Sequence, residues 1–302
     1  MSKSTMKRAG EELVLVTGAT GKTGRRVAAG LEARGVATRR VSRSSTPAFD
    51  WREPTSWPAA LEGVTAAYLV FHPDLAVPGA ADAIEAFSKL AVASGVERLV
   101  LLSGRGEEEA ERCEGIVAAS GAQWTVVRAS WFNQNFSEAF FLEPLQVAGI
   151  LALPASAQVL EPFVDVDDIA EVAVAALSED GHHGHVYEVT GPRLLTLAEA
   201  IAEIGAASGR SMRYEEISDA SYRAQMDAAG VPKEMTELTS YLFSTILDGR
   251  NSRLADGVER ALGRPPRDFR DYARQAAAKG VWRVAGGDVA EQGAAPRQQV
   301  GS

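Results

Sequence analysis

Three glycines define the first chemistry this chain offers. Gly18, Gly21 and Gly24 are spaced three apart in VTGATGKTGRRV (16–27), between the apolar run LVLVT (13–17) and a helical pattern over RRVAAGLEARG. The inner Gly21-Lys22-Thr23 ends like a phosphate-gripping G-x-x-x-x-G-K-[ST] loop, which would make the chain a nucleoside triphosphatase. That loop needs its first glycine at position 16, and Val16 stands there, inside a strand. A dinucleotide turn fits better, with a strand, a tight glycine corner and a helix whose first amides receive a pyrophosphate. On this reading Gly18, Thr20, Gly21, Lys22, Thr23 and Gly24 surround the phosphates and the nicotinamide ribose.

The end of the second strand chooses between cofactors. A site for NAD(H) places a carboxylate about 20 residues past the turn to hold the ribose hydroxyls. Here the chain reads Arg39-Arg40-Val41-Ser42-Arg43-Ser44-Ser45, basic and hydroxyl-rich. That composition suits a 2′-phosphate, so NADP(H) is expected over NAD(H), with Arg43 and Ser44 as its ligands.

These residues need a scaffold to hold them. Apolar runs at LVLVT (13–17), ATRRVSR (37–43), AAYLVF (66–71), RLVLLSG (98–104) and WTVVRAS (124–130) alternate with helical patterns. The rhythm predicts an α/β fold with a doubly wound parallel sheet of Rossmann type. FVDVDDIAEVAVAAL (163–177) reads as a short strand, an Asp168 cap and a helix, and HVYEVTG (185–191) as another strand. The expected organisation is a dinucleotide domain over 11–155 with 163–191 interleaved back into it. A smaller, mostly helical part over 192–283 covers the substrate, and 1–10 and 284–302 are flexible tails.

Composition narrows the function. The chain has 302 residues, a formal charge of −9 and one cysteine. An acidic chain without a basic patch is no general nucleic-acid binder. Cys113 alone allows neither an internal disulfide nor a cysteine metal site. No apolar run is long enough for a membrane span and no secretory signal is visible, so a cytoplasmic location is expected. The expected partner is a small-molecule substrate, with a homodimer as a candidate assembly and no metal. The GHHGH tract (181–185) reads as a solvent loop joining a helix to a strand, and Cys113 as a buried, inert thiol.

The ordered motifs resemble the NmrA-like group of atypical short-chain dehydrogenases, in which TGATGxxG opens the fold. FDW (49–51) follows a short third strand where that family holds adenine, which places Asp50 and Trp51 at the cofactor. AAYLVF with Phe71 and His72 borders it, and LVLLSG ends at Ser103. WTVVRASWFNQNF (124–136) is similar to a family segment, with Ala129 where proline is usual, and PFVDVDDIA (162–170) and GPRLLT (191–196) also match. Within the group, RVSRSS, FDW and GPRLLT look most like the ergot-alkaloid dehydrogenases and their bacterial relatives. By resemblance Trp131, Phe132, Asn135 and Tyr222 line the substrate pocket.

The same resemblance raises the question of whether the nucleotide is used. Short-chain dehydrogenases that reduce ketones pair a serine with Tyr-x-x-x-Lys, whose lysine lowers the tyrosine pKa. Ser103 stands where that serine would be, but no lysine occurs between Lys89 and Lys233 and no tyrosine between Tyr68 and Tyr187. One reading is an enzyme whose acceptor needs no strong acid, such as an imine or iminium, with an enone or quinone also fitting. Ser103 and His72 are its catalytic candidates. One of Glu107, Glu108, Glu109 or Glu111 could favour a cation, although a glutamate run at a helix start also reads as a solvated face complementing the dipole. The other reading is a non-catalytic NADP(H) sensor that acts through a protein partner.

Overall fold

The computed structural model describes residues 12–138 and 140–283. The two expected tails lie outside the described residues. Strands in chain order are β1 (Leu13–Val16), β2 (Ala37–Arg40), β3 (Ala66–Leu69), β4 (Arg98–Gly104), β5 (Gln123–Ala129), β6 (Ile150–Leu153), β7 (His185–Val189) and β8 (Arg213–Glu216). Six of them form one sheet in the order β2-β1-β3-β4-β5-β7. Every pairing in it is parallel. Val14, Leu15, Val16, Leu99, Val100 and Leu101 are fully buried because helices cover both faces, which explains the unbroken apolar runs.

Helices α1 (Lys22–Ala33) and α7 (Val166–Ser178) pack on one face through Val27, Leu31, Ile169 and Ala173. Their approach is close, since a Cβ on Gly30 would lie 2.9 Å from Val174 Cγ2. The other face carries α2 (Trp57–Leu61), α3 (Ala80–Ala93) and α4 (Glu108–Ala118), packed through Trp57, Phe87 and Val117. Fully burying a side chain of Phe87's size stabilises by roughly 1.5–3 kcal/mol. A third apolar cluster joins α5 (Asn135–Glu138), α6 (Leu142–Val147), α8 (Leu197–Ser208), α9 (Asp219–Ala228), α12 (Phe269–Ala278) and a π-helical turn over 242–246. Between these, α10 (Lys233–Tyr241) leads into that turn and α11 (Gly257–Leu262) follows it. α11 departs from this group and packs on the sheet through Val258.

Three expectations need correction and one an addition. No third strand lies between β2 and FDW: residues 41–53 form a loop closed by the Phe49 amide on Ser42 O at 2.9 Å. Residues 163–164 contribute a single bridge, Val164 to Phe132, in place of a strand. The part over 192–283 is mostly helical as expected, but it also contains β8, which pairs with β6 as a separate two-stranded parallel sheet. Arg213-Tyr214-Glu215-Glu216 lacks apolar alternation, so periodicity could not expose it. Finally, the cap of α7 is Asp165, whose extended backbone lets its carboxylate accept from the Asp167 amide at 2.8 Å. Asp168 lies inside the helix, fully buried, held by Arg264 at 2.8 Å and by Arg267.

Candidate active site

The strand order reverses between β1 and β3, and ligands of such sheets bind beyond the carboxyl ends of the strands at that point. Thr17 ties the two tails together: its hydroxyl donates to Tyr68 O at 3.0 Å and accepts from the Val70 amide at 2.8 Å. Gly18 then turns with φ +59°, and the Gly21 amide donates to Gly18 O at 2.8 Å. A Cβ on Gly24 would stand 2.3 Å from Gly18 O, so glycine is needed for α1 to pack on its own turn. Gly21 caps α1 without a side chain, and the first turn carries no acidic residue. The first amides of α1 are thereby left to an anionic ligand, and the corner fits the pyrophosphate of a dinucleotide. Thr20 is exposed beside it and Thr23 is buried beneath it.

Of the arginines around β2, Arg39 donates to Ala60 O at 2.9 Å and Arg40 to Glu32 at 2.8 Å. Arg43 is exposed and, among the described residues, has no side-chain hydrogen bond or ion pair. The same holds for Arg52, which composition gave no reason to choose. Their charges add to burial in holding His72 below the usual imidazole range. Ser44 meets the Ser42 hydroxyl at 3.3 Å in the same loop. Asp50 accepts from the Arg52 amide at 2.9 Å. Trp51 is corrected to a core position: it is buried, its indole N–H donates to Val70 O at 2.8 Å, and its ring lies 5.1 Å from those of Phe49, Phe71 and Phe87.

Beyond the glycine corner opens a cavity of about 360 Å³. Lys22, Phe71, His72, Ser103, Trp131, Phe132 and Asn135 all line it. Lys22 crosses to α5 and donates to Asn135 Oδ1 at 2.9 Å, and burial lowers its pKa. Trp131 and Phe243 stack obliquely at 5.5 Å, and Phe141 lies 5.7 Å from Phe243. Tyr222 is corrected: it is not in the wall but behind it, donating to the Thr239 hydroxyl at 3.0 Å with its ring edge-on to Phe243.

Ser103 lines the cavity with its hydroxyl engaged from behind. Its buried hydroxyl donates to Glu114 Oε1 at 2.6 Å, and Glu114 accepts from Arg128 Nε at 2.9 Å. Glu114 projects from α4, the helix that would carry Tyr-x-x-x-Lys, so the serine proton is committed to a buried ion pair. Arg105, also unforeseen, lines the cavity while donating to Ser130 Oγ at 2.9 Å and to Asn251 O at 3.3 Å. Of the glutamate run, Glu108, Glu109 and Glu111 are exposed as a solvated face, whereas Glu107 turns into the cavity opposite Asp74.

The remaining sequence candidates fall outside the cavity. His182 is buried against the Tyr187 hydroxyl at 2.9 Å, which corrects the all-solvent reading of GHHGH, and His183 accepts from the Trp124 amide at 3.0 Å. Cys113 is buried, and burial with the nearby Glu109 carboxylate pushes its thiol up to about 11. Among the described residues no helix is long and apolar enough to cross a membrane.

A parallel sheet wound on both faces, with an anion corner at its switch point and an apolar cavity alongside, defines a dinucleotide-dependent oxidoreductase scaffold. Known proteins agree. The chain is 34% identical over 275 residues to the oxidoreductase YesF of Bacillus subtilis, covering 88% of this chain and 95% of that one. It is 29% identical over 295 residues to festuclavine synthase I of Penicillium roqueforti, covering 89% of this chain and 99% of that one. The crystal structure of Citrobacter sp. triphenylmethane reductase complexed with NADP(H) superposes with a TM-score of 0.71 at 20% identity, covering 88% of this chain and 99% of the other. No family model matches the chain. The chain belongs to the NmrA-like, atypical short-chain dehydrogenase/reductase family of oxidoreductases.

Proposed function

We propose that the protein binds NADP(H) across the ends of β1 and β3 and reduces the electron-poor carbon of a small imine or iminium held in the cavity. When bound, the reduced nicotinamide supplies a hydride. The glycine corner and the α1 amides hold the pyrophosphate, and Arg43 with Arg52 holds the 2′-phosphate. Lys22, fixed by Asn135, orients the ribose, while Trp131, Phe132, Phe141 and Phe243 exclude water from the reacting carbon.

The commitment of Ser103 to Glu114, on a helix lacking tyrosine and lysine, carries this reading. A ketone needs an acid to quench its alkoxide, and this wall withholds the usual one. A C=N carbon reduced as its iminium gives a neutral amine without an oxyanion. The relatives support NADP(H) chemistry on this fold without selecting an acceptor.

The test is NADPH oxidation by the purified protein, screened across cyclic imines, N-alkyl iminium ions, enones, quinones and ketones. Imines and iminium ions are expected to turn over fastest. Faster turnover of simple ketones would overturn the assignment, and tight NADPH binding without any turnover would favour a sensor.

A further inference from the structure

Two cavity carboxyls, Asp74 and Glu107, have no part in gripping a dinucleotide. Asp74 follows β3 in the His72-Pro73-Asp74 segment, and Glu107 sits at the N-cap of α4. A residue there ordinarily accepts from its own helix amides, yet the Glu107 side chain makes no capping bond. It is only 8% exposed, and its Oε2 is buried without a hydrogen-bond partner. Its Oε1 lies 2.2 Å from where a Cβ on Gly104 would be, so the missing side chain at Gly104 makes room for this carboxyl. Glu107 thus lies against the end of β4, one residue past Ser103, on the wall that lacks the usual acid.

Two buried carboxylates cannot both stay charged side by side. Burial, then the charge of Asp74, pushes Glu107 up to about 9. Burial also raises Asp74, whereas a hydrogen bond from Glu107 lowers it. Glu107 therefore carries the proton and donates it to Asp74, which resolves its otherwise unpartnered oxygen. Tyr241 from α10 faces both carboxyls and Cys113 from α4 faces Asp74, His72 and Arg105 line the same cavity, and Arg250 packs on Gly106 beside Glu107. Arg250 is held by Asp248 at 2.9 Å and Gly106 O at 3.2 Å, so it does not neutralise the pair.

We propose that Glu107, supported by Asp74, is the proton donor of the cavity, protonating the nitrogen of a neutral imine and pairing the resulting iminium with the two carboxylates. This rests on the reductase reading above. The Glu107 O–H bond breaks and leaves its electron pair on oxygen, while the imine nitrogen lone pair forms the N–H bond. The iminium carbon then accepts the hydride from the reduced nicotinamide, the C=N π pair returns to nitrogen, and a neutral amine departs. Water reprotonates Glu107. The nitrogen of an imine is basic enough to take a proton from such an acid before hydride arrives, whereas a ketone oxygen becomes basic only as the alkoxide forms. The pair therefore activates a nitrogen acceptor ahead of hydride transfer.

Glu107→Gln keeps the shape and the bond to Asp74 and removes the acidic proton. In the full chain at pH 7, infrared spectroscopy is expected to show a protonated-carboxyl stretch that this variant lacks. Turnover of a neutral cyclic imine is expected to fall about 100-fold, at least ~10-fold more than that of its N-methyl iminium analogue, which needs no proton. Gly104→Ala, which displaces the carboxyl, is expected to give the same selective loss. The wild-type imine rate declines as pH rises past about 9, where Glu107 loses its proton. Equal losses on both substrates, or no infrared difference, would overturn the dyad while leaving the reductase reading intact. A wild-type protein inert to both substrates would instead overturn the reductase reading and the dyad's role with it.

Discussion

The two ends of the cleft are built in opposite ways. At the glycine corner the groups offered to a ligand are backbone amides, and the side chains matter mainly by being absent. In the cavity the polar groups are side chains delivered by strands and helices far apart in sequence. Lys22 meets Asn135 across 113 positions, and Arg105 meets Asn251 across 146. A backbone site is fixed by local spacing, whereas a side-chain site is fixed by packing. Substitutions at the two ends should therefore fail differently, the first in cofactor affinity and the second in acceptor chemistry and stability.

The largest effect is expected at Glu114. Replacing it with alanine removes the acceptor of Ser103 and leaves the Arg128 guanidinium, 19% exposed, without its main partner. Breaking such a pair costs about 3–5 kcal/mol, and the lower end is expected because Glu188 remains 3.3 Å from Arg128. Urea unfolding measures this. A loss below ~1 kcal/mol would mean the Ser103–Glu114–Arg128 chain is not a structural unit.

At the other end, Gly24→Ala forces a methyl group against backbone atoms that no rotamer change can move. Overpacking of this kind costs roughly 1–3 kcal/mol, and the displaced turn should weaken NADPH binding at least ~10-fold. Retained affinity would show that the corner tolerates a side chain and that α1 is not seated on its own turn. Arg43→Ala is milder and more selective. Removing one charged contact to a phosphate costs about 1.5–3 kcal/mol, so NADPH affinity should fall ~10-fold or more while NADH affinity holds. Equal weakening of both cofactors would transfer the phosphate to Arg52.

The same contrast explains what was legible in the sequence. The turn and the parallel sheet were readable because a few consecutive residues carry each signal. Ser103 was found at its strand end, but not its partner Glu114, which sits on α4 among other glutamates. Glu107 was visible only as one of four acids at a helix start. What separates it from Glu108, Glu109 and Glu111 is burial against Gly104 and Asp74, and that depends on how α4 docks on β4. The strand pair β6–β8 was hidden because one partner is polar and exposed and both are only four residues long. Trp51 and Tyr222 were misplaced for one shared reason: an aromatic residue near a site has no local mark showing whether it forms the wall or supports it.

Tyr222 gives the smallest and sharpest test of that distinction. Its ring is buried and its hydroxyl donates to Thr239, which lines the cavity, so Tyr222 reaches the acceptor only through a second residue. Tyr222→Phe keeps the edge-on contact with Phe243 and removes one neutral hydrogen bond. The expected cost is about 1 kcal/mol of stability, with KM for the acceptor and kcat nearly unchanged. Thr239→Val, by contrast, changes a group in the wall itself and should shift KM. If Tyr222→Phe moved KM as much as Thr239→Val while stability held, Tyr222 would belong to the cavity surface, and the wall would extend one layer deeper than the packing indicates.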